Sequence, residues 1–186
     1  MNRTTIAVTS LLIGTTVLSG TAAGTAFGAP NQPSDATHGS DHTASRAEQK
    51  QLTRAWLQLW NGDYSQAKRI VSPDVRVHAA LFDGGDGSSV KGPAGMVDLV
   101  SQIRAAFGDL RFAIDVGPII DGDHVVVRWI ATGTYAGGFP GATAPVGTPV
   151  TFTGTDILRT RHGKIADYWL NADQLGLVTQ LKVTAG

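Results

Sequence analysis

Apolar residues recur at three- and four-residue spacing soon after Ser45, where Leu52, Ala55, Trp56, Leu59 and Trp60 fall on one stripe. Ser45-Arg46-Ala47-Glu48 fits a capping box at the head of that stripe, which predicts an amphipathic helix ending at Asn61-Gly62. Asp63 can cap a second, shorter helix through Val71, with Pro73 enforcing its end. Val75 to Ala80 alternates as a short strand, and Asp83 to Gly92, with four glycines and two aspartates, reads as a loop. Pro93 suits the first turn of a third helix, in which Met96, Val97, Val100, Ile103, Arg104 and Phe107 make a mostly apolar face.

From Leu110 the period changes to two. Strands are expected at about 110–116 and 124–134, joined through the turn dipeptide Asp121-Gly122. A second hairpin follows, with extended segments at 150–161 and 164–170 around His162-Gly163. Asn171 can then cap a short helix from Ala172 to Leu181, docked through Leu175, Leu177 and Leu181. Helices followed by a run of strands argue for an α+β fold in which the helices cover one face of a curved antiparallel sheet. Val125 to Ile130 is apolar on both faces, so its second face is expected to meet something. A homodimer through the outer sheet face is the favoured explanation, and deep burial within the monomer is the other.

The first 28 residues have the form of a secretory signal: Arg3 supplies the basic region, Ile6 to Leu18 the apolar core, and Ala26-Phe27-Gly28 the small residues before cleavage. The apolar core is shorter than the roughly 20 residues of a membrane span and is broken by Thr, Ser and Gly. The expectation is therefore a secreted protein with no membrane span after signal cleavage. Residues 29–45 read as a disordered spacer; its His38, His42, Asp35 and Asp41 lie on a polar tail with no fixed geometry for a metal. One domain is expected over 46–184. The chain has no cysteine, so disulfides are excluded. Fifteen basic and fifteen acidic residues balance, which argues against nucleic acid or an acidic membrane as partner.

The closing block Phe152 to Leu181, FTGTDILRTRHGKIADYWLNADQLGLVTQL, carries a family resemblance. So do Trp60-Asn61-Gly62-Asp63, Ser72-Pro73-Asp74 ahead of His78, Gly92-Pro93, and the Gly-, Phe- and Pro-containing crossing from Gly133 to Gly147. In wording and order these resemble SnoaL-like proteins, the polyketide-cyclase and ester-cyclase branch of the cone-shaped nuclear transport factor 2 superfamily. The resemblance implies a cone-shaped pocket for a small molecule and chemistry that uses neither cofactor nor metal. It also implies that the acid/base aspartate of the polyketide cyclases falls at Leu170, one supporting histidine at Tyr168 and another at Leu158. A leucine exchanges no protons, so this chain cannot run aldol cyclisation by that arrangement.

Asp156 shares a strand face with Leu158 and is the acidic residue that alternation turns inward. In a pocket lined by Leu158, Leu170, Trp60 and Phe139, desolvation would raise its pKa toward neutrality. The alternatives are a structural bridge to Arg128 or another cation, or a face turned to solvent. Arg128 is counted with the ligand-binding residues as well. His78 can donate to a substrate carbonyl or be satisfied by backbone at the rim. Tyr168 offers a hydroxyl in place of the lost histidine, or simply a wall. Trp56 and Trp60, one turn apart, close the cone or belong to the core. Asp167 and Trp169 fall on the opposite face, as candidates for a dimer surface, and Asp173 suits an early helix position. No Gly-x-Ser-x-Gly, His-Glu-x-x-His or nucleotide-binding glycine loop is present.

The expected function is a secreted domain that holds a small apolar molecule, with cofactor-free proton transfer by Asp156 and His78 or Tyr168. The alternative is a non-catalytic small-molecule binder. A third possibility is a docking module whose pocket is filled.

Overall fold

The computed structural model describes residues 44–81 and 84–184. The expected leader and most of the expected spacer, with His38, His42, Asp35 and Asp41, lie outside the described residues.

Helix α1 (Arg46–Trp60) begins where Ser45 and Glu48 satisfy each other's backbone N–H groups, as the capping box predicts. Its apolar stripe is buried, with Leu59 fully enclosed. Gln49 interrupts the stripe because its amide reaches the Gly122 carbonyl at 2.9 Å, tying the helix start to the distant hairpin turn. At the other end Asn61 acts as a strand partner for Phe112, donating to its carbonyl at 3.0 Å and accepting from its N–H at 2.9 Å. Arg104 donates to the Trp60 and Leu110 carbonyls, which fixes the same corner. The Trp-Asn-Gly-Asp motif is thus a joint between helix and sheet.

Asp63 caps a 3-10 turn, Tyr64–Gln66, that continues into the one-turn helix α2 (Ala67–Ile70). The expected helix through Val71 stops one residue early because Val71 already opens strand β1 (Val71–Ala79), opposite Ile165. Pro73 therefore sits in an edge strand, at the register break between Val71 and Arg76, where its missing N–H leaves no ladder bond unmade. The glycine loop folds back on β1 through Ala79 N–H to Asp86 and Leu81 N–H to Gly85.

Helix α3 (Gly92–Ala105) starts with proline in its first turn and buries Met96 and Val100. Phe107, expected on that helix, instead begins strand β2 (Phe107–Asp121) and pairs with Tyr135 of β3 (His124–Tyr135). The last hairpin joins β4 (Pro149–Arg161) to β5 (Lys164–Ala172). His162 and Gly163, at φ 49° and 70°, form its two-residue turn in the left-handed conformation that twisted hairpins favour. Helix α4 (Gln174–Gln180) is capped by Asp173, which accepts from Gly176 N–H, and not by Asn171. Asn171 and Ala172 are still paired with Thr155 and Gly154, so the strand outcompetes the expected helix start. Leu177 and Leu181 dock the helix, while Leu175 is 77% exposed.

The five strands form one sheet in the order β1-β5-β4-β3-β2, antiparallel except for the β1–β5 pair. This is the expected α+β architecture. Val125, Val127, Trp129 and Ala131 lie on the inner face with Asp156, Leu158 and Tyr168. Val126 and Ile130 occupy the outer face. There the ladders align Ile119, Val126, Ile157, Trp169 and His78 as a single row across all five strands, with Ile119 58% and Ile157 37% exposed.

Candidate functional site

Asp156 is the buried carboxylate of the inner face, 2% exposed in the middle of β4. Three side chains from three different elements converge on it. Trp56 of α1 donates its indole N–H to Oδ2 at 2.8 Å, Trp129 of β3 donates to Oδ1 at 2.8 Å, and the Tyr168 hydroxyl of β5 donates to Oδ1 at 3.1 Å. Burial pushes the Asp156 pKa up to about 6, against the three hydrogen bonds, which favour the charged form. The same burial, followed by the neighbouring charge of Asp156, pushes the Tyr168 phenol well above its ordinary value, so Tyr168 remains a donor.

The rings around this carboxylate are a continuous aromatic wall. Trp56 meets Tyr168 edge-on at 4.8 Å, and Phe112 contacts both Trp60 and Trp129 at 5.2 Å. Gly154 makes the wall possible. It lies opposite Trp129 in the ladder, and a Cβ there would stand 2.2 Å from the indole Cζ2.

Cavity space falls off steeply toward Asp156. A cleft of about 440 Å³ opens between α3 and the 138–140 turn, where Val90, Leu99, Ile103, Phe107 and Phe139 provide apolar walls. Leu81 and Ile103 are shared with an inner cavity of about 40 Å³, which Leu170, Phe152 and Leu177 help to line. Trp60 and Trp129 are shared in turn with a space of about 10 Å³ that touches Asp156. The outermost volume suits an organic ligand, whereas the innermost holds at most a water-sized group. Trp60 is 5% exposed, and its indole N–H is a buried donor without an acceptor. Leaving such a group unpaired costs about 1–3 kcal/mol.

The expected site residues are therefore only partly brought together. Asp156, Tyr168, Trp56 and Trp60 share one interior, whereas Phe139 and Leu170 line different cavities farther out. Leu158 is fully enclosed opposite Tyr168 and borders none of these three spaces. Arg128, expected near the ligand or on Asp156, is on the outer face and pairs with Asp115 at 3.3 Å. His78 is on the outer face too, because Val77, not His78, is the register partner of Tyr168. Its ring stacks on Trp169 at 4.9 Å and its Nε2 lies 3.5 Å from Asp167. Asp167 is not an open dimer contact, since it is 1% exposed beneath Arg76 and Arg159. Burial works to raise its pKa, but hydrogen bonds from Arg76, Arg159 and His78 hold it below the usual carboxylate range. Among the described residues no group of three His, Cys, Asp or Glu could hold a metal ion, and no helix is long and apolar enough to cross a membrane.

Trp129 is the site residue that sequence reasoning misses. Its signal lies in two places, the alternation Val125, Val127, Trp129 and the isolated glycine at 154 in an apolar strand. Only the β3–β4 register joins them.

Residues 50–181 match the family model described as SnoaL-like polyketide cyclase. No curated protein matches the sequence. Among solved structures, TsrD from Streptomyces laurentii is 26% identical at a TM-score of 0.64, over 76% of this chain and 99% of that one. AclR from Streptomyces galilaeus, a proposed hydroxylase, is 28% identical at a TM-score of 0.62, over 76% of this chain and 89% of that one. A SnoaL-like polyketide cyclase from Agrobacterium tumefaciens shares the fold at a TM-score of 0.57 and 21% identity, over 71% of this chain and 98% of that one.

Proposed function

The chain belongs to the SnoaL-like polyketide cyclase family, whose members bind small ligands, and from that premise we propose that it is an exported domain holding a small, largely apolar molecule with one hydrogen-bond acceptor. The observation that carries this reading is the apolar cleft of about 440 Å³, separated only by Leu81 and Ile103 from an inner space lined by Trp60, whose buried indole N–H has no acceptor. The ligand's apolar body rests on Phe139, Val90, Leu99 and Ile103, and its oxygen accepts from Trp60 after passing Leu81 and Ile103. Asp156 in this reading is the polar keystone that sets the aromatic wall, not a group in ligand contact.

Two further features of the reading have support outside the cleft. Export rests on the leader pattern of residues 1–28. A homodimer through the outer sheet face rests on the row Ile119, Val126, Ile157 and Trp169, half-exposed apolar side chains in register on a face that water otherwise wets.

Native mass spectrometry of the full-length gene product, secreted and purified without detergent, tests all three. The expected spectrum is a dimer whose subunits begin at Ala29 and which releases a compound of small-molecule mass on denaturation. Ile103→Trp, which fills the cleft, is expected to remove that compound while leaving the dimer. Release of the same compound in the same amount from the wild type and Ile103→Trp proteins would overturn the cleft as the binding place.

A second reading, cofactor-free proton transfer by Asp156 with Tyr168, is favoured by one observation: a pKa of about 6 leaves both protonation states accessible near neutral pH. Oδ2 accepts only from Trp56 and retains a lone pair for a proton. The space beside it is about 10 Å³, so Trp60 must swing aside for a substrate to arrive. His78, on the opposite sheet face, takes no part. This reading requires Asp156→Asn to stop conversion of the retained compound without preventing its retention.

A further inference from the structure

The overall charge of zero conceals strong clustering. Residues 68–76 and 159–167 hold Lys68, Arg69, Arg76, Arg159, Arg161 and Lys164 against only Asp74 and Asp167. The parallel β1–β5 pairing brings these two stretches together beside the β4–β5 turn. There they border a groove of about 560 Å³, whose walls hold Arg76, Arg159, Arg161, His162 and Lys164 against the two carboxylates Asp74 and Asp167.

Three features make this more than a solvated basic face. Asp167, at the groove base, is buried and accepts from Arg76 Nε at 2.8 Å and from Arg159 through both Nε and Nη2. One carboxylate thus orients two guanidinium forks while leaving Arg159 Nη1 and both terminal nitrogens of Arg76 for another acceptor. Arg161 and Lys164 are direct cross-strand partners, a like-charge pair that costs the hairpin stability and that a bound anion would relieve, and Lys164 donates from Nζ to the Lys68 carbonyl, which holds its ammonium at the groove with hydrogens left for an anion. Finally, the turn that presents them is held by the left-handed conformations of His162 and Gly163, so the cations sit on a fixed corner of the sheet.

We propose that this groove is a binding site for a compact, multiply charged phosphate-class anion, separate from the apolar cleft. The chemistry asks for at least two negative charges, because Asp167 already neutralises one of the guanidinium groups it orients. The volume admits a diphosphate, or a phosphate ester with a small organic group. The site does not depend on the reading of the cleft, which lies against α3, and its test leaves Asp156, Trp60 and Ile103 untouched.

Isothermal titration of the full-length protein with inorganic pyrophosphate, and with inorganic phosphate in parallel, tests the site. The expected result is saturable binding of one pyrophosphate per subunit, tighter than phosphate and weakened by salt. Arg161→Gln combined with Lys164→Gln is expected to weaken pyrophosphate binding by roughly tenfold or more. Arg161 is exposed, and the one contact Lys164 makes beyond the turn is a surface hydrogen bond to the Lys68 carbonyl, so circular dichroism should be unchanged. Lys50→Gln with Arg54→Gln removes the same charge from the exposed side of α1 and is expected to leave the affinity as it was. Equal losses in the two double variants would show diffuse charge attraction and overturn the site. Absence of saturable heat in the wild type would overturn it directly.

Discussion

Asp156→Ala is expected to destabilise the protein by roughly 3–5 kcal/mol, enough to leave much of it unfolded when overproduced. The substitution removes one acceptor but orphans three buried donors, on Trp56, Trp129 and Tyr168. Each unmade bond costs about 1–3 kcal/mol, and the three share one site, so the losses add incompletely. Asp156→Asn is the milder variant. Its oxygen can keep Trp129 and Tyr168, while its NH2 group faces the Trp56 N–H donor to donor.

The two variants also expose the pH dependence. The folded pKa of about 6 is above the ordinary value of 3.8, so between those limits the native state binds more protons than the unfolded one. The contribution of Asp156 to stability is therefore fully present below about pH 4 and is lost as pH rises through 6, a change of about 3 kcal/mol. Asp63, Asp86 and Asp167 act in the opposite sense, since their pKa values are lowered in the folded state. The difference between wild type and Asp156→Asn isolates the buried group. Urea unfolding of both at pH 4 to 7 should show the wild type gaining on the variant as the pH falls. A flat difference would mean that Asp156 titrates normally and that the aromatic cage does not desolvate it.

Gly154→Ala is the second large effect. A methyl group at this position would stand 2.2 Å from Trp129 Cζ2 and 2.7 Å from Cη2, well inside contact distance. The indole cannot simply yield, because it is 6% exposed, with Phe112 at 5.2 Å and Phe152 at 5.8 Å. Displacing it combines overpacking, worth about 1–3 kcal/mol, with loss of the Trp129 to Asp156 hydrogen bond. The expected result is a fall in Tm on the order of 10 °C. Trp129→Phe should partly rescue Gly154→Ala, since the smaller ring withdraws the clashing atoms, and the double variant should lie above the sum of the singles. A Tm for Gly154→Ala within about 1 °C of the wild type would show that Trp129 is not held where the cage requires it.

Several elements follow from neighbouring residues alone. The capping box at Ser45 and Glu48, the stripe from Leu52 to Trp60 and the His162-Gly163 turn are local, and each is observed as expected. The inward direction of Asp156, with Leu158 on its face and Tyr168 opposite, follows from two-residue alternation through that turn. Errors cluster where a local preference competes with a ladder: Asn171 can cap a helix and Phe107 can close one, but both have strand partners that local pattern does not reveal.

The inner space beside Trp60 belongs to neither kind of local signal. It depends on how closely Trp60, Trp129 and Phe152 approach one another, and ring packing across three elements has no trace in spacing along the chain.

His78 and Arg128 mark the boundary most clearly. Alternation shows that His78 and Val77 point opposite ways, and likewise Arg128 and Val127, but not which of each pair is interior. That choice was made by the parallel register of β1 on β5 and the antiparallel register of β3 on β4, pairings between residues far apart in sequence. Motifs and backbone periodicity were enough for the family, the order of elements and one inward acid, because each of these is written in residues close together along the chain. The enclosure of that acid by Trp56, Trp129 and Tyr168, and the place of the histidine on the far side of the sheet, came from the assembled fold, because strand register is a property of paired strands and not of any one of them.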